Sequence, residues 1–577
     1  MLNPVGVAAR SVGRFLPRRA DYHPRSWRQD LLAGITVAVV ALPLALGFGV
    51  SSGAGAAAGL ATAIVAGTLA AAFGGSSFQV SGPTGAMSVV LLPIIAAYGV
   101  AALPLLGLLA GVFLLTFAFA RIGRYVQYVP WPVVSGFTHG IAVIIALQQL
   151  PGVLGVAAGS AGHTESVLAA SIGALRAFMA APAWGAPALG LLAVAIMLGW
   201  SSVPRLKPVP GGIVALVGVT LVSLLPAFDG VPRIGAIPAA LPVPAWPPLP
   251  AVDPTVLVRA ALAIAVLAAL ESLLSAVVAD GMTVGERHDP DRELFGQGIA
   301  NLGAALVGGI PATAALARTA VNVRSGARTR LAAIAHGIVL AAIVLAAAPL
   351  AARVPLAALA GILVVVAVRM VEGHALRLLL RSTKSDAFVL FLTMAVTILF
   401  DLILAIEVGM VAAGVLFIVR MSRMFSVDPE RLLGEADAPR VDVEADADAE
   451  QRLLRERVVA YRIDGPIFFG AANRFFDQLL KTAGGIRVVI LRLRRVPVMD
   501  ATGAAALDSL VDRLERDGVT VLLSGLQPQP RELLRRMGVL DRLRSRGESV
   551  FETSEEAIER ARAMVVKANP VSGHGAG

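Results

Sequence analysis

Glu271 stands in the middle of "LAALESLLSAVVADGM", inside an apolar run long enough to span a bilayer. A carboxylate at that depth costs roughly 2.5–3.5 kcal/mol and usually faces a pathway or a partner. Ser275 follows one helical turn later, so the pair could take up a proton or ligate a cation such as sodium. The plainer alternative is a structural carboxylate hydrogen-bonded to backbone. Arg318, in "GGIPATAALARTA", either adds positive charge to an anion-binding point or pairs with Glu271 or a loop acid. Such residues suit the holding of a small anion and a coupling ion. They do not suit covalent chemistry: the sequence offers no Ser/His/Asp set, no metal cluster and no phosphate-binding glycine loop in the tail, so an enzyme is not expected. His139, in "SGFTHGIAV", reads as a packed helix residue, and Asp229, Asp253, Asp401 and Glu407 read as structural groups near span ends.

Two short stretches must position these groups. "FQVSGPTGAMSV" (78–89) and "GGIPATAALARTA" (308–320) are small, polar and proline-bearing, yet sit among apolar runs. Non-helical backbone survives in a bilayer only where protein or a water-filled cavity surrounds it. The first stretch precedes the third candidate span and the second precedes the tenth, so each is third in a set of seven. Paired interruptions at matching positions of two halves mark an inverted-repeat transporter. Two half-helices starting near the midplane would aim free N–H groups and positive dipole ends at one point, which binds an anion.

The composition agrees. Of 577 residues, 56% are hydrophobic and 15% charged, against roughly 45–50% and 25% in soluble domains. Candidate spans lie near 31–50, 56–74, 83–98, 101–120, 131–149, 185–200, 211–227, 254–280, 292–309, 312–323, 329–350, 355–371, 385–400 and 402–420, about fourteen by the ~20-residue ruler. Basic residues gather in alternate loops (Arg121/Arg124, Arg205/Lys207, Arg287/Arg292, Arg324/Arg328/Arg330, Arg377/Arg381/Lys384) and at both ends. By the positive-inside rule both termini are expected in the cytoplasm. The net charge of +10 is assigned to this orientation rather than to nucleic acid. There is no cysteine, hence no disulfide framework.

After Arg420 the chain turns charged. Past an acidic stretch, "RVVAYRID", "RVVILRL" and "VTVLLSG" read as strands. They alternate with helical patterns in "AANRFFDQLLKTA", "TGAAALDSLVDRLERD" and "PRELLRRMGVLDRL". Such alternation implies a small α/β domain with a mainly parallel sheet.

"DLLAGITVAVVALPLALGFGV", "SGPTGAMS" and the block from Glu271 to Asn322, with the α/β tail behind them, resemble the SulP inorganic anion transporters (sulfate permease type, with a C-terminal STAS domain). The resemblance implies an α-helical polytopic membrane protein, a seven-plus-seven UraA-like inverted repeat with a core and a gate domain, followed by a small α/β STAS domain. The expected division is a basic cytoplasmic arm at 1–30, a transporter domain at 31–420, a linker at 421–455, a cytoplasmic STAS domain at 456–565 and a disordered tail at 566–577. The implied activity is secondary active transport of sulfate or bicarbonate by an elevator-like motion, with Na+ or H+ as coupling ion and no other cofactor. A C4-dicarboxylate transporter and an anion channel or exchanger without cation coupling are the alternatives. Implied partners are the small inorganic anion, the lipid bilayer of a bacterial inner membrane and a second copy of the chain, through STAS and membrane domains. Carried onto this sequence, the anion cradle is Phe48, Thr84, Gly85, Ala86, Ala314, Ala315, Leu316 and Arg318, and the coupling site is Glu271 with Ser275.

This chain departs from the family pattern at several positions. Leu44 stands where proton-coupled members carry Glu after the proline of span one. Glu271, Ser275 and Leu316 stand where bicarbonate members have Asp, Thr and Thr, and those members lack Arg318. Ala501 in "MDATG" stands where regulator STAS domains carry a phosphorylated Ser.

Overall fold

The computed structural model describes residues 15–17, 26–156, 167–202, 209–246, 252–283, 287–400, 402–423, 426–430, 456–468, 486–545 and 549–568. Most of the expected N-terminal arm, most of the linker, the helix expected in "AANRFFDQLLKTA", the tail beyond 568, and Arg205, Lys207 and Asp401 lie outside the described residues. The chain forms two compact units, Met1–Val411 and Ala412–Gly577.

Every expected span position holds a helix. The first half contributes α1 (Trp27–Ser51), α2 (Ala56–Phe73), strand β1 (Ser81–Gly82) leading into α3 (Gly85–Tyr98), α4 (Leu103–Phe119) and α5 (Trp131–Gln148). After the short α6 (Leu150–Leu154) and α7 (Val167–Ala180) come α8 (Gly185–Ser202) and α9 (Gly211–Val222). The second half contributes α10 (Pro254–Met282), α11 (Pro290–Leu306), β2 (Thr313–Ala314) leading into α12 (Leu316–Arg324), α13 (Leu331–Ala351) and α14 (Leu356–Met370). It ends with α15 (Gly373–Arg381), α16 (Lys384–Leu399) and α17 (Leu402–Arg423). Among the described residues, eight helices are long and apolar enough to cross a bilayer.

The packing repeats across the halves. The contact of α13 with α1 is matched by that of α4 with α10, and α13 against α2 by α4 against α11. Likewise α16 against α5 is matched by α8 against α14, while α2–α11 and α5–α14 pair equivalent helices of the two halves. Seven spans per half invert the second half relative to the first, and this pairing is what an inverted repeat must show. The sequence count of spans omits α7 and α15. They hold equivalent places, each joining the fifth span of its half to the sixth.

Small residues set how closely the helices approach, as membrane bundles require. At the α1–α2 crossing, a Cβ on Gly59 would fall on the carbonyl oxygen of Ala45 and against Gly49. Phe15, upstream of α1, is buried and stacks on Phe295 of α11 at 4.9 Å. Asp30, in the first turn of α1, is fully buried and accepts the N–H groups of Arg328 (2.6 Å) and Thr329 (3.0 Å), which precede α13.

The C-terminal unit is a five-stranded sheet in the order β3 (Ser426–Glu430), β4 (Val458–Asp464), β5 (Val488–Arg495), β6 (Thr520–Ser524), β7 (Val550–Phe551). Strands β4 to β7 are parallel, while β3 is an antiparallel edge strand within the stretch the sequence assigns to the linker. The strands obey the two-residue period. Tyr461, Ile463, Val489 and Leu491 face a core with α18 (Ala501–Arg516), whereas Ala460, Val488 and Ile490 face α21 (Ser554–Ala568). The single helix expected in "PRELLRRMGVLDRL" is two, α19 (Pro528–Arg536) and α20 (Val539–Ser545), broken at Gly538.

Gly59→Val forces side-chain atoms into the α1–α2 contact and is expected to cost about 1–3 kcal/mol, read as a fall in melting temperature of the detergent-solubilised protein. Gly230→Ala, where an added Cβ meets nothing within 4 Å, should leave that temperature unchanged.

Candidate functional site

The two small-residue stretches meet. β1 and β2 pair antiparallel, Ser81 opposite Ala314 and Gly82 opposite Thr313. The N–H of Ala315 extends the pairing to the Val80 carbonyl at 3.0 Å. The half-helices α3 and α12 therefore begin beside each other, and their first-turn N–H groups carry the positive ends of two helix dipoles. The caps differ. Thr84 caps α3, its hydroxyl oxygen accepting from the N–H of Met87 at 3.4 Å. Ala315 stands at the same place on α12 and offers no side-chain cap.

The expected cradle residues come together around this crossing. Gly85, Ala86 and Ala314 are buried in it, and Ala315 is half-buried. Leu316 is 41% exposed, on the open side of α12. Phe48, on α1, is buried, and its carbonyl accepts from the Ser88 hydroxyl at 3.1 Å. A Cβ on Gly85 would collide with Ile145 and approach the Phe48 ring to 3.3 Å. Arg318 is 1% exposed and donates Nη2–H to the Pro83 carbonyl at 2.8 Å. Its Nε and Nη1 have no hydrogen-bond partner among the described residues. Its guanidinium lies against Gly82, where any side chain would meet Nη1.

Glu271 and Ser275 separate. Glu271 accepts from the Thr84 hydroxyl at 3.1 Å, which ties α10 to the cap of α3. It also lines a pocket whose other walls include Val133, Phe137, Ile141, Leu274, Met370 and Ile406. Ser275, one turn on, donates to Thr319 at 3.2 Å, and Thr319 in turn accepts from the N–H of Val80 at 3.1 Å. Its hydroxyl thus braces the crossing strands from the α10 side. His139 bonds the Ser135 carbonyl of its own helix at 2.6 Å. Asp253 caps α10 through the Thr255 N–H at 2.8 Å.

The supporting residues were not singled out from the sequence. Glu293, Gln297 and Asn301 recur every fourth position of α11 and form one polar stripe. Glu293 Oε2 accepts from the N–H groups of Gly75 (2.8 Å) and Ser76 (3.0 Å). Gln297 donates to the Ser81 hydroxyl at 2.6 Å. Asn301 grips Ala312 at both backbone groups, donating to its carbonyl at 2.9 Å and accepting its N–H at 2.8 Å. Thr62 of α2 holds Ile310 in the same way, at 3.0 and 2.7 Å. Ser272 accepts the N–H of Ala314 at 3.2 Å. The readable signal was the i, i+4, i+8 spacing in "ELFGQGIAN", three polar side chains on one face of an otherwise small and apolar helix.

Two broken spans meeting at a crossing, with a buried guanidinium beside it that keeps two nitrogens unpartnered among the described residues, define a polytopic membrane transporter of anions. The chain belongs to the sulfate permease family, whose model matches residues 27–393, and a STAS domain model matches residues 452–557. It is 36% identical over 542 residues to YvdB of Bacillus subtilis, provisionally named a sulfate transporter, covering 92% of this chain and 97% of that one. It is 34% identical over 555 residues to the bicarbonate transporter BicA of Picosynechococcus sp., covering 93% and 95%. The solved transmembrane domain of a cyanobacterial BicA superposes with a TM-score of 0.60 at 33% identity, over 68% of this chain and 98% of that one. The fold is also that of SLC26A9, with a TM-score of 0.82 at 16% identity over 99% and 96% of the two chains.

Asn301→Leu leaves a buried N–H and a buried carbonyl of Ala312 without partners, each at about 1–3 kcal/mol. A marked fall in melting temperature and loss of anion binding by calorimetry are expected. Unchanged binding in the variant would show that the crossing does not need the grip.

Proposed function

We propose that the chain is a secondary active transporter of a small oxyanion, sulfate or bicarbonate, in a bacterial inner membrane with both termini in the cytoplasm. The observation that carries this reading is the buried Arg318 guanidinium, with Nε and Nη1 unpartnered beside the N-termini of α3 and α12. A fixed full charge next to two helix dipoles favours the dianion, so sulfate is the first substrate to test. The sulfate name of the Bacillus relative supports sulfate, and the BicA likeness supports bicarbonate.

The cradle is formed by Phe48, Thr84, Gly85, Ala86, Ala314, Ala315, Leu316 and Arg318. The helices α1–α4 and α10–α13 form a core that moves against α5, α8, α9, α14, α16 and α17 in an elevator-like alternation. The apolar walls facing Glu271 support this division, because a sliding surface must shed water. Coupling runs through Glu271. Its hydrogen bond from Thr84 at 3.1 Å joins it to the anion cradle. A proton fits better than sodium, since the Ser275 hydroxyl that would complete a cation site is turned to Thr319. The working unit is a homodimer.

Labelled sulfate and bicarbonate uptake into proteoliposomes under separate proton and sodium gradients tests the assignment. Ala315→Phe should abolish binding by filling the approach to the backbone. Arg318→Gln should weaken sulfate binding by about 10- to 100-fold, the worth of ~1.5–3 kcal/mol for a hydrogen bond to a charged group. Unchanged affinity in either variant would place the anion elsewhere.

Glu271→Gln should keep anion exchange, which moves no net proton, and lose uphill uptake driven by a pH gradient. Loss of sodium stimulation with the pH response intact would assign Glu271 to sodium instead. Intact uphill uptake under both gradients would make it structural.

A further inference from the structure

The matched connecting helices α7 and α15 differ in charge. Inversion of the repeat places them at opposite faces of the bilayer. α7, "VLAASIGALRAFMA", carries one basic residue, Arg176. α15, "GHALRLLLR", carries Arg377, Arg381 and His374, with Lys384 just beyond. At nine residues α15 is too short to span alone, and it joins the end of α14 to the start of α16, where the chain turns between two spans.

Its faces are sorted. Ala375 and Leu379 are buried against the bundle. Arg377, Arg381 and His374 are exposed together on the opposite side, flanked by Leu378 (48% exposed) and Leu380 (46% exposed). Arg377 Nε donates to the Gly373 carbonyl of its own helix at 3.0 Å. No carboxylate among the described residues forms an ion pair with Arg377, Arg381 or Lys384.

We propose that α15 is a binding site for the head groups of anionic phospholipids, with Arg377 and Arg381 contacting the phosphate and Leu378 and Leu380 the acyl side. Two arginines four residues apart on one helix face stand about 5–6 Å apart at Cβ, a spacing that one phosphate bridges. Guanidinium forks match phosphate oxygens in geometry as well as charge. The flanking leucines select a lipid over free phosphate, because a dissolved anion gains nothing from them. An amphipathic segment with basic and apolar groups on its outer side is the form that lies in a membrane interface. Since α15 links α14 to α16, the lipid would grip a joint between two spans.

The test uses the full chain in neutral detergent, titrated with fluorescent phosphatidylglycerol, phosphatidylcholine or inorganic phosphate. Arg377→Gln with Arg381→Gln should weaken phosphatidylglycerol binding about thirtyfold, from roughly a fivefold contribution per basic residue, and each single variant about fivefold. Leu378→Ser with Leu380→Ser should weaken it too, and Arg176→Gln on α7 should change nothing. All four side chains of α15 are exposed, and melting temperatures equal to wild type will confirm the fold. Unchanged phosphatidylglycerol affinity in both single variants and the double arginine variant would overturn the proposal. So would displacement of the lipid by millimolar inorganic phosphate, or equal binding of phosphatidylcholine.

Discussion

Everything in the membrane unit follows from the need to satisfy irregular backbone where there is no water. The strands β1 and β2 and the turns around them expose peptide groups that a helix would pair internally. An unpaired group in hydrocarbon costs several kcal/mol. The surrounding helices answer with side chains: Asn301 and Thr62 each take both groups of one residue, Ser272 takes the N–H of Ala314, and Thr319 that of Val80. These residues come from α2, α10, α11 and α12, so the core of the repeat is defined by what the crossing requires.

The same requirement explains what is left open. With the strands accounted for from behind, the donors left at the crossing among the described residues are the leading N–H groups of α3 and α12, before the Met87 N–H that Thr84 takes, and two nitrogens of Arg318. A site made of backbone dipoles and one guanidinium has little chemistry of its own and much electrostatic attraction. That suits a carrier, which must release what it binds. Phe48 and Ile145 close the space around Gly85.

Much of this was legible in the sequence, for a physical reason. Small polar residues and prolines are so costly within apolar runs that "SGPTGAMS" and "GIPATAAL" could only be built features, and matching positions in two sets of seven fixed the repeat. Glu271 stood out by the same cost. The supporting shell was harder to read, because Thr62, Ser272 and Thr319 are ordinary helix residues until the partner backbone is known. Ser275 looked like a companion of Glu271 by its one-turn spacing. In the structure its hydroxyl donates to Thr319, and nothing local in the sequence marks that contact. β3 was hidden in charged surroundings, and α7 and α15 fell below the length that marks a span.

The crossed ties between the halves have a thermodynamic consequence. Arg318 of α12 holds the Pro83 carbonyl before α3, and Glu271 of α10 holds the cap of α3. Thr62 of α2 holds Ile310 before β2 in return, so each half ties down the other's edge of the crossing and parting the edges breaks all of these bonds together. The crossing therefore comes apart as one cooperative unit or not at all.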